Sequence, residues 1–149
     1  GPWGRPDMAP FKFTKAIAEG KAIDVYNHGD MYRDFTYIDD IVEGIIRVQN
    51  VIPNKDDGKR DTPNSSDAPY SIYNIGNGSP VRLMDFINAI EEALGVEAKK
   101  NFMPMQPGDV PSTWASTEEL YKATDYKPSV DIKTGVSHFV AWYKDYYKV

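Results

Sequence analysis

The stretch DMYRDFTYIDD, residues 30–40, sets a single arginine, Arg33, among β-favouring aromatics and four aspartates. A guanidinium there has two uses. Its planar fork of donors can grip phosphate oxygens, each charged bond contributing about 1.5–3 kcal/mol net, or it can pair with a nearby carboxylate such as Asp30 or Asp34. Spacing alone favours the surface pair and leaves the anion site open. Other chemistry is easier to exclude. YNIGNGSP offers Gly76 and Gly78 but no third glycine at the spacing of a dinucleotide cradle. None of the ten tyrosines has a lysine four residues on, so the Tyr-x-x-x-Lys helix that prepares a tyrosine for proton abstraction is missing. His28 and His138 stand more than a hundred residues apart, and neither has metal-ligand spacing. There is no cysteine, which removes disulfides and thiolate metal sites.

These residues need elements to position them, and the pattern predicts five helices with three or four short strands. Asp7 is the expected cap of a first helix over 7–19, with Gly20 as its stop. AIDVY (22–26) reads as a strand, NHGD (27–30) as a turn, and MYRDFTYI (31–38) as a second strand. A helix capped by Asp39 or Asp40 follows, and the near-continuous apolar spacing of Ile41, Val42, Ile45, Ile46 and Val48 predicts burial on more than one side. Residues 53–70, PNKDDGKRDTPNSSDAPY, form a polar, Pro- and Asp-rich insertion expected to be mobile. SIYNIG (71–76) reads as a strand, with Ser79 and Pro80 opening a helix striped by Leu83, Ile87, Ile90 and Leu94 and ended by Gly95. A strand near 97–103, a turn-rich PMQPGDVP, a short helix from Ser116 or Thr117 and a last helix over about 131–147 complete the order. The alternation predicts an α/β fold with mainly parallel pairing, either a small domain or part of a larger one.

Composition narrows the partners. The 149 residues carry 17 basic and 22 acidic side chains, for a formal charge of −5 and a pI near 5.0. That charge argues against a nucleic-acid partner. No apolar run reaches the roughly 18 residues of a membrane span, and GPWGRPDM lacks signal-peptide layout. No membrane association and a cytoplasmic location are therefore expected.

Four stretches taken together, GPWGRPDMAPFKFTKAI, IDVYNHGDMYRDFTYIDDIVEGI, YNIGNGSPVRLMDFI and MPMQPGDVPSTWA, resemble the carboxyl-terminal half of the extended short-chain dehydrogenase/reductases that epimerise nucleotide sugars, the UDP-glucuronate 4-epimerases above all. The resemblance runs in order along nearly the whole chain. It implies the substrate-binding part of a Rossmann-type enzyme, residues 1–149, whose amino-terminal half supplies the NAD loop and the Tyr-x-x-x-Lys pair. In the complete enzyme NAD would take hydride from C4 of a UDP-sugar and return it to the other face, interconverting UDP-glucuronate and UDP-galacturonate. This part alone is expected to bind no NAD, to be inactive, to hold a UDP-sugar weakly, and to self-associate through an interdomain face.

The resemblance also assigns roles. Arg33 fits the Arg-x-x-x-Tyr-Ile-x-Asp pattern whose arginine contacts the UDP, and Asp40 at its end shapes the site as a helix cap. Val25, Tyr26 and Asn27 fall where the uracil edge is held, largely through backbone groups, with Asn27 the candidate for the one polar side chain. Asp109 in QPGDV matches an acid that accepts ribose hydroxyls, while Gln106 stands where many relatives carry an arginine. Arg5 in GRPDM is placed to read the sugar carboxylate. The alternatives are a UDP-galactose 4-epimerase or nucleotide-sugar dehydratase part, or a non-catalytic domain that binds a nucleotide sugar or a protein.

Overall fold

The computed structural model describes residues 1–53 and 70–149, so the insertion expected at 53–70 lies almost wholly outside the described residues. Four elements build the body. Helix α1 (Ala9–Ala18) buries Thr14 and Ile17, and strand β1 (Ala22–Val25) alternates so that Ile23 and Val25 face the core while Ala22 and Asp24 face away. Helix α3 (Leu83–Leu94) places Phe86, Ile87, Ala89 and Ile90 inside, and helix α5 (Ile132–Tyr147) adds Val136, Phe139, Val140 and Tyr143. Ile17, Val25, Ile87, Ile90 and Val140 are at most 1% exposed, so the predicted stripes of α3 and α5 meet in one core. Gly95 ends α3 in the left-handed conformation, and Asp131 caps α5 by accepting from the Thr134 amide at 2.9 Å.

The strands are short and fall into two sheets. β1 runs parallel to β4 (Lys99–Phe102), with Asp24 opposite Asn101. β2 (Tyr32–Arg33) lies between β3 (Val81–Arg82), antiparallel to it, and β5 (Ser112–Thr113), parallel to it. The α/β class with mainly parallel pairs is the expected one.

Several local expectations are corrected. Met8, not Asp7, occupies the cap position of α1, because Asp7 is taken by Arg5. MYRDFTYI narrows to the two paired residues of β2. SIYNIG alternates in exposure but forms no strand, since no neighbouring strand among the described residues pairs with it. α3 starts at Leu83 rather than after Ser79, because Val81 and Arg82 first pair with β2. Helix α2 (Ile38–Val48) is capped at Tyr37, and its predicted burial fails: Val42, Ile45 and Ile46 are 45, 46 and 50% exposed. Asp40, in the first turn of α2, is buried and reaches outward instead. Its carboxylate accepts from the Tyr126 hydroxyl at 2.9 Å and from the Ser129 and Val130 amides at 3.1 and 2.9 Å, which ties α2 to the segment after helix α4 (Glu118–Thr124). Burial first, and then this hydrogen bond to Asp40, push the Tyr126 hydroxyl up to about 12. No helix among the described residues is long and apolar enough to cross a membrane.

Candidate functional site

Arg33 sits on the central strand of the three-stranded sheet. Backbone bonds on both sides fix β2: the Tyr32 amide donates to Pro111 at 2.8 Å, the Asp34 amide to Thr113 at 3.1 Å, and the Leu83 amide to Met31 at 2.8 Å. The β5 side brings in the loop Gln106–Pro111. There the Asp109 amide donates to the Gln106 carbonyl at 3.1 Å across Pro107 and Gly108, and Gly108 has φ +84°, the geometry of a type II turn that a side chain at Gly108 would strain. The turn delivers Asp109 to Arg33 across 76 positions of sequence. Arg33 Nη2 donates to Asp109 Oδ1 at 2.8 Å, and Nη1 donates to the carbonyls of Tyr32 and Pro111 at 2.9 and 3.2 Å.

Arg33 and Asp109 line a cavity of about 420 Å³. One wall is the start of α1, Met8 to Pro10 with Phe13; another is Met31, Phe35 and Leu83; Tyr26 and Asp24 close it from the end of β1. The alternation of β1 explains Asp24: with Ile23 and Val25 buried, its side chain must leave on the opposite face. Asp24 Oδ1 accepts from Asn101 Nδ2 at 2.8 Å. Asp34 also lines the cavity. Its Oδ2 accepts from the Gly78 and Ala115 amides at 2.9 and 3.4 Å, and its Oδ1 is buried without a partner among the described residues.

The same contacts settle what the glycine turn does. Gly78 donates to Asp34 and Asn77 to the Thr36 hydroxyl, and a Cβ on Gly76 would lie 3.0 Å from the Ala115 Cβ. The turn's amides are committed to holding loops together, so it is no phosphate cradle.

The sequence-predicted site residues divide accordingly. Arg33 and Asp109 come together. Val25 does not reach the cavity: its side chain is fully buried, and its carbonyl accepts from the Met103 amide at 2.9 Å. Asn27 folds its amide back onto the Asp30 carbonyl at 2.7 Å. It and His28 both adopt left-handed backbone, with φ of 46° and 50°, strain of about 1–3 kcal/mol each that the surrounding bonds sustain. Arg5 is exposed and bidentate to Asp7, Nε to Oδ1 at 3.1 Å and Nη2 to Oδ2 at 2.5 Å, and the guanidinium holds the Asp7 carboxyl below its ordinary value; it does not line the cavity. Sequence reasoning missed Asp24 and Asp34. The alternation of apolar Ile23 and Val25 with Asp24 in AIDV was the available signal for Asp24; nothing in sequence marks Asp34 apart from its neighbours.

Comparison with known proteins is consistent across sequence and structure. Residues 1–76 match the NAD dependent epimerase/dehydratase family. The chain is 60% identical to Protein CapI of Staphylococcus aureus, covering 99% of this chain and 45% of that protein. It is 49% identical to a probable UDP-glucuronate 4-epimerase of Rhizobium meliloti, with the same coverage. Among solved structures, a UDP-glucuronic acid 4-epimerase from Bacillus cereus, in complex with UDP-glucuronic acid and NAD, matches at a TM-score of 0.79 and 28% identity over 99% of this chain and 43% of its own. The chain thus spans about half the length of the curated relatives it matches.

Proposed function

The chain belongs to the NAD dependent epimerase/dehydratase family, and from that premise we propose that it is the substrate-binding part of a UDP-glucuronate 4-epimerase. The observation that carries this reading is the Arg33–Asp109 pair, assembled from distant segments at the edge of a cavity of about 420 Å³. The likeness to relatives named for that activity supplies the substrate class. Arg33 then stands to the diphosphate, Asp109 to the ribose hydroxyls, and the Tyr26–Asn27 turn to the base, with Val25 positioning that turn from the core. Arg5 exchanges Asp7 for the sugar carboxylate. NAD is held by residues outside those described.

A micromolar ligand requires about 8 kcal/mol, which this partial site does not provide, so UDP-glucuronate binds in the millimolar range. The test is an amide-shift titration with UDP-glucuronate: shifts centred on Tyr26, Arg33 and Asp109, lost in Arg33→Ala, support the reading, and shifts elsewhere contradict it. In a protein of the relatives' full length, Arg5→Ala should slow epimerisation of UDP-glucuronate far more than that of UDP-glucose.

The same reading accounts for the exposed apolar side chains of α2 and for Ile72, 57% exposed on the unpaired stretch 70–75. In relatives twice as long, further chain is available to cover such a face. In this chain alone it favours self-association.

A further inference from the structure

We propose that Asn77–Gly78, in the turn YNIGNGSP, is a deamidation site that Asp34 holds shut. The dipeptide supplies the chemistry. Once the Gly78 amide has lost its proton to solvent hydroxide, its nitrogen attacks Cγ of Asn77. The new C–N bond closes a succinimide ring, the Cγ–Nδ2 bond breaks, and ammonia leaves with a proton taken from water. A second water opens the ring at either carbonyl, giving aspartate or, with a methylene added to the main chain, isoaspartate. Glycine in the second position favours the attack, because no Cβ shields the nitrogen and the backbone turns freely toward the side chain. No other asparagine in the chain is followed by glycine, and water has access, since Asn77 is half-buried and Gly78 exposed.

The fold restrains the backbone on both sides of the reacting bond. The Gly78 amide donates to Asp34 Oδ2 at 2.9 Å, and the Asn77 amide donates to the Thr36 hydroxyl at 3.0 Å. Gly78 itself lies at φ +68°, where a Cβ would stand 3.5 Å from Thr117 Oγ1 and 3.7 Å from the Ala115 carbonyl. Each contact opposes a different part of the reaction. Removing the Gly78 proton would set an amide anion 2.9 Å from a carboxylate, and a carboxylate is too weak a base to take that proton itself. The Thr36 bond and the packing on Thr117 and Ala115 fix the peptide plane, so the nitrogen cannot swing to Cγ while they hold.

Asp34 is held in its turn, because Oδ2 also accepts from the Ala115 amide at 3.4 Å. Deamidation therefore waits for a local opening that breaks the Gly78–Asp34 bond. A charge-assisted bond of this kind slows it about 10- to 100-fold. Asp34 follows Arg33 directly and lines the same cavity, so the turn and the candidate site share this carboxylate.

The experiment incubates the whole chain and a free peptide of residues 71–80 at one pH and temperature, and follows ammonia release together with the Asn-to-Asp mass change mapped to residue 77. The chain should react at least about tenfold more slowly than the peptide; equal rates overturn the proposal. Asp34→Ala, confirmed as folded by native amide shifts in α3 and α5, should raise the rate at residue 77 by about tenfold or more. An unchanged rate in that variant overturns the proposal, and so does a lower one, which would make the carboxylate an assistant to the reaction. If Asp34→Ala loses the native shifts, hydrogen exchange in the unaltered chain decides. A Gly78 amide that exchanges at least about tenfold more slowly than in the peptide supports the lock, and one that exchanges as fast as in the peptide overturns it.

Discussion

Helices α2 and α3 carry comparable apolar patterns and end in opposite environments. On α3, Phe86, Ile87 and Ile90 are 0–2% exposed, packed against α1, β1 and α5. On α2, Val42, Ile45 and Ile46 are about half exposed, and the helix is fastened through polar contacts, the Asp40 carboxylate and the Arg47 guanidinium 4.8 Å from the Tyr126 ring centre. The difference teaches that an apolar stripe states that a face is built to be covered and says nothing about what covers it. The body around α3 finds its cover within these residues; the flank around α2 does not.

The comparison can be broken at graded cost. Phe86→Ala should destabilise the chain by about 3–5 kcal/mol, because the ring stacks on Phe35 at 4.4 Å and is 2% exposed; a loss under about 1 kcal/mol in denaturant unfolding would show that the body is not the stabilising half. Tyr126→Phe should cost about 1–2 kcal/mol by removing the bond to buried Asp40. Its pH signature is specific. With the folded hydroxyl raised to about 12 from an ordinary 10, the contribution is fully present below pH 10 and lost as pH rises toward 12. Unfolding followed through that window should be steeper for the parent chain than for the variant, and equal slopes would contradict the bond. Gly44→Ala sets helix propensity, a gain of about 1 kcal/mol, against a Cβ 2.9 Å from Ile75 Cγ2. The expected net change is near zero in thermal unfolding, with the shift confined to amides of residues 72–76; no shift there would mean that α2 and that stretch do not pack as described. Ile46→Lys should leave stability within about 0.5 kcal/mol and reduce self-association in sedimentation experiments. A large loss of stability would show that α2 is covered after all.

What could be read in advance follows the range of the interaction responsible. The α3 and α5 stripes, Gly95 and the α5 start were legible because periodicity and capping are local. SIYNIG was misjudged because a strand is a property of two segments, and the alternation it does show is not enough without a neighbour to bond. Asp40 was misjudged for a related reason: its donors lie 86 to 90 residues away. Of the candidate site, Arg33 and Asp109 were named through their family pattern but not as a pair, and neither Val25, Asn27 nor Arg5 lines the cavity.

The sequence by itself determined the α/β class, the helical body and the chemistry available, a few guanidiniums and many carboxylates with neither thiol nor tyrosine–lysine helix motif. Only the tertiary structure decided the electrostatics of the site. Charge counted along a chain is a sum, whereas the field in a cavity depends on which groups face it, and that was set by the alternation of β1, the two-sided pairing of β2 and the Gly108 turn.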